Sequence, residues 1–440
     1  MPTFPDDFLW GFSTAAFQIE GALEADGRGV STWDVFQSQP GAIVTGETAD
    51  VACDHYRRWQ QDLDLMAEIG TSLYRFSIGW PRIQPEGKGR VNEAGWAFYD
   101  RLIDGCLARS IAPYPCLLHW DLPAALPGGW RSRETALRFA DYAHEITRRL
   151  GDRAPGLFIL NEPNIVALLG HRLGIHAPGV RDFEAYCDAI HVENLMSAHA
   201  AAAIRAENPR LKLGNAIALL PALPADDTEE ASEAAEACDQ WMNRAFLDPV
   251  LNGTYPPLVE EALGERIQPG DMALFAKPFD MLGVNYYFRH HCWPDTEPPY
   301  FIADPHAPGN TNLTAMGWEI APEGLAQMLA RLRTDYGNPD TFITENGAAY
   351  DDQLTPAGRI EDTARIDYLA KHIAAVGEAC EAGSNMRGYA CWTLMDNFEW
   401  AFGFSKRFGL VYVDYDTQTR TPKASYNWFG DVIAANGANL

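Results

Sequence analysis

Eight short apolar runs recur along this chain, at residues 9–12, 73–78, 112–118, 157–160, 211–217, 281–287, 341–344 and 388–392. They are continuous rather than alternating, so each reads as a strand buried on both faces, as in a parallel sheet covered by helices. Stretches of helical periodicity lie between them, at 55–69, 96–109, 132–150, 183–207, 230–246, 322–336 and 363–382. In the first of these, Tyr56, Trp59, Leu63, Met66 and Ile69 return every three or four positions, and Gly70 supplies a stop. No linker, repeat or low-complexity tract divides the chain, so residues 1–440 read as a single domain. Eight strands in one α/β domain of this length predict a closed (β/α)8 TIM barrel with extended βα loops. No G-x-G-x-x-G follows the first run, which removes the usual reason to prefer an open dinucleotide-binding sheet.

Composition narrows the partners. A formal net charge of −26 argues against nucleic acid or an anionic membrane, both of which require basic surface. The first residues lack a basic segment followed by an apolar one, and no run reaches the 18 or more apolar residues of a membrane span. The eight cysteines are scattered without a C-x-x-C pair, which fits reduced thiols in a cytoplasm. The eleven histidines form no H-E-x-x-H pattern, so the sequence calls for no metal and no cofactor. A homo-oligomer stays open.

Two strings carry the chemistry. LFILNEPN places Glu162 directly after an apolar run, and FITENG does the same for Glu345. Pro163 and the Asn346-Gly347 pair then stop each run. The glutamates are 345 − 162 = 183 residues apart, so only tertiary structure can bring them together. Either one alone is most simply a solvated carboxylate or a helix cap. Two carboxylates facing across a pocket are what glycoside hydrolysis requires, one protonating the leaving oxygen and the other attacking or activating water.

In a barrel of this kind the chemistry sits at the C-terminal ends of the strands. The residues there are Gln18-Ile19-Glu20-Gly21, Arg75, His119-Trp120-Asp121, Asn161-Glu162, Asn285-Tyr286-Tyr287, Glu345-Asn346 and Trp392. Aromatic faces stack on sugar C–H surfaces, while amides, histidine and carboxylates bond ring hydroxyls. Any one of these aromatics, or His119, reads as ordinary core by itself. Their recurrence at strand after strand describes a carbohydrate pocket. An aldolase or isomerase would need a Schiff-base lysine or metal ligands at these ends, and the sequence places none there.

The motifs FLWGFSTAAFQIEGA, GRGVSTWDVF, YRFSIGWPRI, LLHWDLP, LNEP, GVNYY, ITENG and WTLMDNFEWAFGFSKRFGL together resemble glycoside hydrolase family 1, the β-glucosidase family. They fall in the family's order and run from Phe8 to about Trp428. The resemblance implies a retaining exo-β-glycosidase acting by double displacement on terminal non-reducing β-D-glucosyl residues. It implies Glu162 as acid/base and Glu345 as nucleophile, with Arg75 keeping Glu345 charged. Gln18, His119, Asn161, Glu399 and Trp400 match the hydroxyl-binding set, with Trp392 under the ring. Asn285 and Tyr287 match the inner shell, and Trp120 and Phe408 supporting aromatics. Glu399 matches the branch acting on unphosphorylated sugars, because a carboxylate there repels a 6-phosphate.

Three positions depart from the family pattern: Ile159, Asn164 and His171. Asn164 is expected on the leaving-group side. The expected substrates are β-glucosides or short β-gluco-oligosaccharides, in the setting of cellulose or other polysaccharide breakdown. The resemblance leaves open a leaning toward β-galactosides or β-fucosides and a balance tipped toward transglycosylation. A non-catalytic sugar-binding relative is the reading from another class. Such relatives usually lose one carboxylate, and both are present here.

Overall fold

The computed structural model describes residues 3–275 and 279–440. Eight parallel strands close into a barrel: β1 (Leu9–Thr14), β2 (Leu73–Ser77), β3 (Ala112–Leu118), β4 (Gly156–Asn161), β5 (Lys212–Ala218), β6 (Met281–Asn285), β7 (Asp340–Asn346) and β8 (Met386–Trp392). Each strand lies beside its neighbours in the chain, and β8 returns to pair with β1, Leu9 opposite Gly388. All eight expected runs are strands, because each is buried along nearly its whole length. The sixth is shorter than its apolar run and ends at Asn285, where Tyr286 and Tyr287 begin the loop.

Each strand is followed by a covering helix: α1 (His55–Glu68), α2 (Glu93–Ala108), α3 (Arg133–Leu150), α4 (Phe183–Glu207), α5 (Glu229–Asp239), α6 (Pro322–Asp335), α7 (Thr363–Glu381) and α8 (Ala424–Ala434). Gly70, with φ 78°, ends α1 in the left-handed conformation that glycine adopts without steric cost. Asp182 and Thr228 start α4 and α5 by accepting the amides of Ala185 and Ala231. Two helices differ from expectation. The stretch 230–246 is not one helix, since α5 gives way at Gln240–Arg244 to a π-type turn and then to a helix over Ala245–Leu251. The last helix, α8, was not among the expected ones.

The barrel interior is filled beneath its C-terminal mouth. Tyr114, Phe158 and Phe342 converge there with ring centres 5.2 to 6.4 Å apart, packed with Cys116, Ala216, Met281 and Ala390. This plug is the floor on which the polar residues rest: the Arg75 guanidinium lies 5.8 Å from the centre of the Phe158 ring. Among the described residues no helix is long and apolar enough to cross a membrane.

Candidate active site

Strand parity explains how the two glutamates come to face each other. Phe158 and Phe342 both point into the barrel core, so regular alternation would aim residues three further on outward. The pairing register slips between Phe158 and Asn161 on β4, and between Ile343 and Glu345 on β7. Such irregularities re-aim side chains. Asn161 and Glu345 consequently turn inward and bond the same guanidinium: Arg75 donates Nη1 to Glu345 Oε1 at 2.6 Å and Nη2 to Asn161 Oδ1 at 2.6 Å. Glu162 follows with φ 44°, ψ 56°, a left-handed kink that swings it over the mouth before Pro163 opens a short helix. Gly347, after Glu345-Asn346, is required by close approach, since a Cβ there would lie 1.8 Å from the Trp392 carbonyl oxygen.

Asn285 links the two carboxylates. Its Oδ1 accepts the Thr344 hydroxyl at 2.6 Å, which turns its amide N–H groups toward Glu162 Oε1 (2.8 Å) and Asn161 Oδ1 (3.1 Å). The Glu162 carboxyl receives no other hydrogen bond among the described residues, whereas Glu345 takes both the Arg75 guanidinium and the Tyr287 hydroxyl, the latter at 2.8 Å. Burial pushes Glu162 up to about 8, and the neighbouring Glu345 anion adds to the rise. Burial raises Glu345 as well, but Arg75 and Tyr287 pull it back. The surroundings therefore favour the proton on Glu162 and the charge on Glu345.

Of the expected residues, His119, Trp120, Tyr287, Trp392, Glu399, Trp400 and Phe408 line one cavity of about 590 Å³ together with both glutamates, while Gln18, Arg75, Asn161 and Asn285 stand behind that lining and bond to it or to each other. Asn161 Nδ2 donates to His119 Nε2 at 2.9 Å, so the imidazole proton sits on Nδ1, which is buried and has no hydrogen-bond partner among the described residues. Burial and Arg75 hold His119 well below the usual histidine range, so it stays neutral. Gln18, on the short helix Ala16–Ile19 after β1, donates to Asn397 Oδ1, the Phe398 carbonyl and Glu399 Oε2, and its own Oε1 is left unpaired. Burial and Glu345 push Glu399 up to about 8, which makes it a neutral carboxyl able both to donate and to accept. Lys406, nearby in sequence, is engaged with the Ala315 carbonyl and the Phe402 ring.

The structure changes one expectation and adds residues. Asn164 does not line the cavity; its amide is spent on the Ala218 and Met242 carbonyls, joining the β4 loop to the π-type turn after α5. Ser13 accepts from Arg75 and Thr344 orients Asn285, neither being foreseen. Ser13 could have been found from register alone, because it sits opposite Arg75 on the neighbouring strand. Among the described residues, no group of three or more His, Cys, Asp or Glu is placed to hold a metal ion.

The model of glycosyl hydrolase family 1 matches residues 1–438. The chain is 44% identical to beta-glucosidase A of Thermotoga maritima, over 99% of this chain and 98% of that protein. It is 45% identical to a beta-glucosidase of Agrobacterium sp., over 97% and 94% of the respective chains. A solved structure, the Thermotoga maritima beta-glucosidase in complex with glucoimidazole, superposes with a TM-score of 0.94 at 43% identity, covering 99% of each chain.

Proposed function

The chain belongs to glycosyl hydrolase family 1 and is a retaining β-glucosidase, and from that premise we propose the roles of its residues. Glu162 is the general acid/base and Glu345 the nucleophile. The observation that carries this assignment is the unequal support of the two carboxylates: a guanidinium and a phenol on Glu345, one amide on Glu162. In the first step Glu162 gives its proton to the glycosidic oxygen while a Glu345 oxygen bonds C1 and the aglycone leaves as an alcohol. Esterification removes the charge of Glu345, and with it one cause of the high pKa of Glu162. Glu162, now a carboxylate, takes a proton from water as that water displaces Glu345 from C1.

The glycone is an unmodified β-D-glucosyl unit, held over Trp392 with its hydroxyls met by Gln18, His119, Asn161, Glu399 and Trp400. Asn285 and Arg75 hold the reacting carboxylates, Tyr287 bonds the nucleophile, and Trp120 and Phe408 complete the wall. Binding of glucose-like glucoimidazole by the Thermotoga relative supports this reading. The substrates are β-glucosides or short β-gluco-oligosaccharides, handled by residues 1–440 acting as one domain. We place the enzyme in the cytoplasm, a reading supported by eight cysteines that are all free.

Initial rates on 4-nitrophenyl β-D-glucoside and its 6-phosphate, with Glu345→Gln alongside, test the assignment. Cleavage of the plain glucoside alone, abolished in the variant, is expected. Turnover of the phosphorylated substrate alone would overturn the glycone reading, and an active variant would overturn the nucleophile.

A further inference from the structure

The open half of the cavity has a character different from its closed half. Leu173, Ile175 and Ile302 line it and are 41%, 54% and 53% exposed, whereas Trp392 and Glu345, at the other end, are 3% exposed. Apolar side chains left in water around a cavity mouth mark a surface that is covered by a ligand. The wall is backed by Phe288 and Trp318, whose ring centres are 5.1 Å apart. A second glucose would present hydroxyls to this surface with few partners for them. A flat ring would bury against it.

Three polar groups interrupt the apolar wall, and none is used up by the protein. His290 lines the cavity, is 7% exposed, and neither ring nitrogen has a hydrogen-bond partner. Burial holds it down to about 4, so it is a neutral imidazole with one donor and one acceptor unspent. Arg181, exposed at the mouth, makes no ion pair or hydrogen bond among the described residues. Arg172 spends Nε and Nη2 on the Pro298 carbonyl, which leaves its charge unneutralised by any carboxylate. Leaving two guanidiniums without counter-charges at one cavity mouth is notable in a chain of net charge −26. Asp295 also borders the cavity; its Oδ1 accepts the Glu297 amide and it pairs with no arginine.

We propose that the leaving-group half of this site is built for an aromatic aglycone carrying a carboxylate. Its ring lies against Phe288, Trp318 and Ile302, and its acid group meets Arg172 and Arg181. The inference rests on the proposed placement of the glucosyl unit in the closed half. The anion must sit on the far side of the ring from the glycosidic oxygen, because Glu162, Glu345 and Glu399 crowd the inner end. A para-substituted phenol meets that requirement, and an ortho acid does not.

The test is kcat/KM for 4-carboxyphenyl β-D-glucoside against its neutral isostere, 4-carbamoylphenyl β-D-glucoside. Both are assayed on wild type, Arg181→Gln, Arg172→Gln and the double variant. Taking the ratio of the two substrates within each protein, then comparing proteins, cancels the difference in phenol acidity. The ratio is expected to fall about fivefold from wild type to the double variant, the size of a partly exposed ion pair, and less at 1 M salt. The rate on methyl β-D-glucoside, whose leaving group is too short to reach either arginine, shows that the variants are folded and competent. A ratio indifferent to both arginines overturns the inference while leaving the proposed catalytic roles intact. Failure of wild type to cleave even the carbamoyl glucoside overturns those roles, and the inference with them.

Discussion

Glu162 and Glu345 stand at the ends of two strands in the same barrel, and the register of each strand slips after an inward phenylalanine. On β7 the slip itself brings Glu345 inward; on β4 it brings in Asn161, and the left-handed kink at Glu162 swings that carboxyl over the mouth. Their settings then diverge. Around Glu345 the barrel supplies charge and a phenol; around Glu162 it supplies one amide and a neighbour of like charge. Backbone geometry makes the pair, and the residues contributed by β2 and the loop after β6 make the two members different. An acid and a nucleophile of identical chemical type can be told apart only by such surroundings.

Exchanging each carboxyl for its amide breaks the comparison most sharply. Glu345→Gln is expected to lose roughly 10^5-fold in kcat on every β-glucoside, because no covalent intermediate forms. The loss in Glu162→Gln depends on the aglycone. With an alkyl leaving group, which needs the proton, kcat/KM falls about 10^4-fold. With 2,4-dinitrophenolate, which leaves without one, the first step survives, and the slow second step lets the glycosyl-enzyme accumulate. Mass spectrometry of the intact protein would then show the added hexose. A loss of equal size on both substrates would mean that Glu162 does something other than proton transfer.

Arg75→Leu removes the charge that separates the two environments. A loss of about 10^2- to 10^3-fold in kcat is expected, the scale of removing one preorganised electrostatic partner. The pH profile carries more detail. The proposed roles require Glu345 ionised and Glu162 protonated, so kcat/KM is expected to fall as pH drops through the first group and as pH rises past the second, about 8 in the wild type. Arg75 lowers both. Its loss moves both limbs of the bell upward, the acid limb further because Arg75 also hydrogen-bonds Glu345. A profile that merely drops without moving would show Arg75 to be a structural support.

The barrel was legible because continuous apolar strands and amphipathic helices are each written over many residues, so a single misleading position changes little. The inner site was legible because its residues cluster at strand ends, in short strings such as HWDLP, LNEP and ITENG. What sequence did not convey depends on register slips and on partners brought in by the fold. The register slips leave no mark in composition. The neutral state of Glu399 follows from burial beside Glu345, which no local string encodes. Asn164 was misplaced because it follows Asn161-Glu162 in the LNEP string, while its partners, the Ala218 and Met242 carbonyls, come from elsewhere. His290 and Arg172 lie beyond the ends of the barrel strands, on a short strand over His290–Pro294 and a π-type segment over Val166–Arg172, where nothing but the fold shows what they face.

Tyr287→Phe gives the smallest effect and the cleanest reading. The phenol donates 2.8 Å to Glu345 Oε2 and, unlike Arg75, adds no formal charge, so its influence on Glu162 is slight. Removing it costs about 1 kcal/mol, or roughly fivefold in kcat/KM, the worth of one hydrogen bond to a charged group offset by the space left for water. Because the bond favours the ionised form, its loss raises the pKa of Glu345. The acid limb of the profile should therefore move up while the limb near 8 stays in place. That selectivity separates the two carboxylates without disabling either. If the alkaline limb moved instead, the phenol would be governing the proton donor, and the roles given to Glu162 and Glu345 would have to be exchanged.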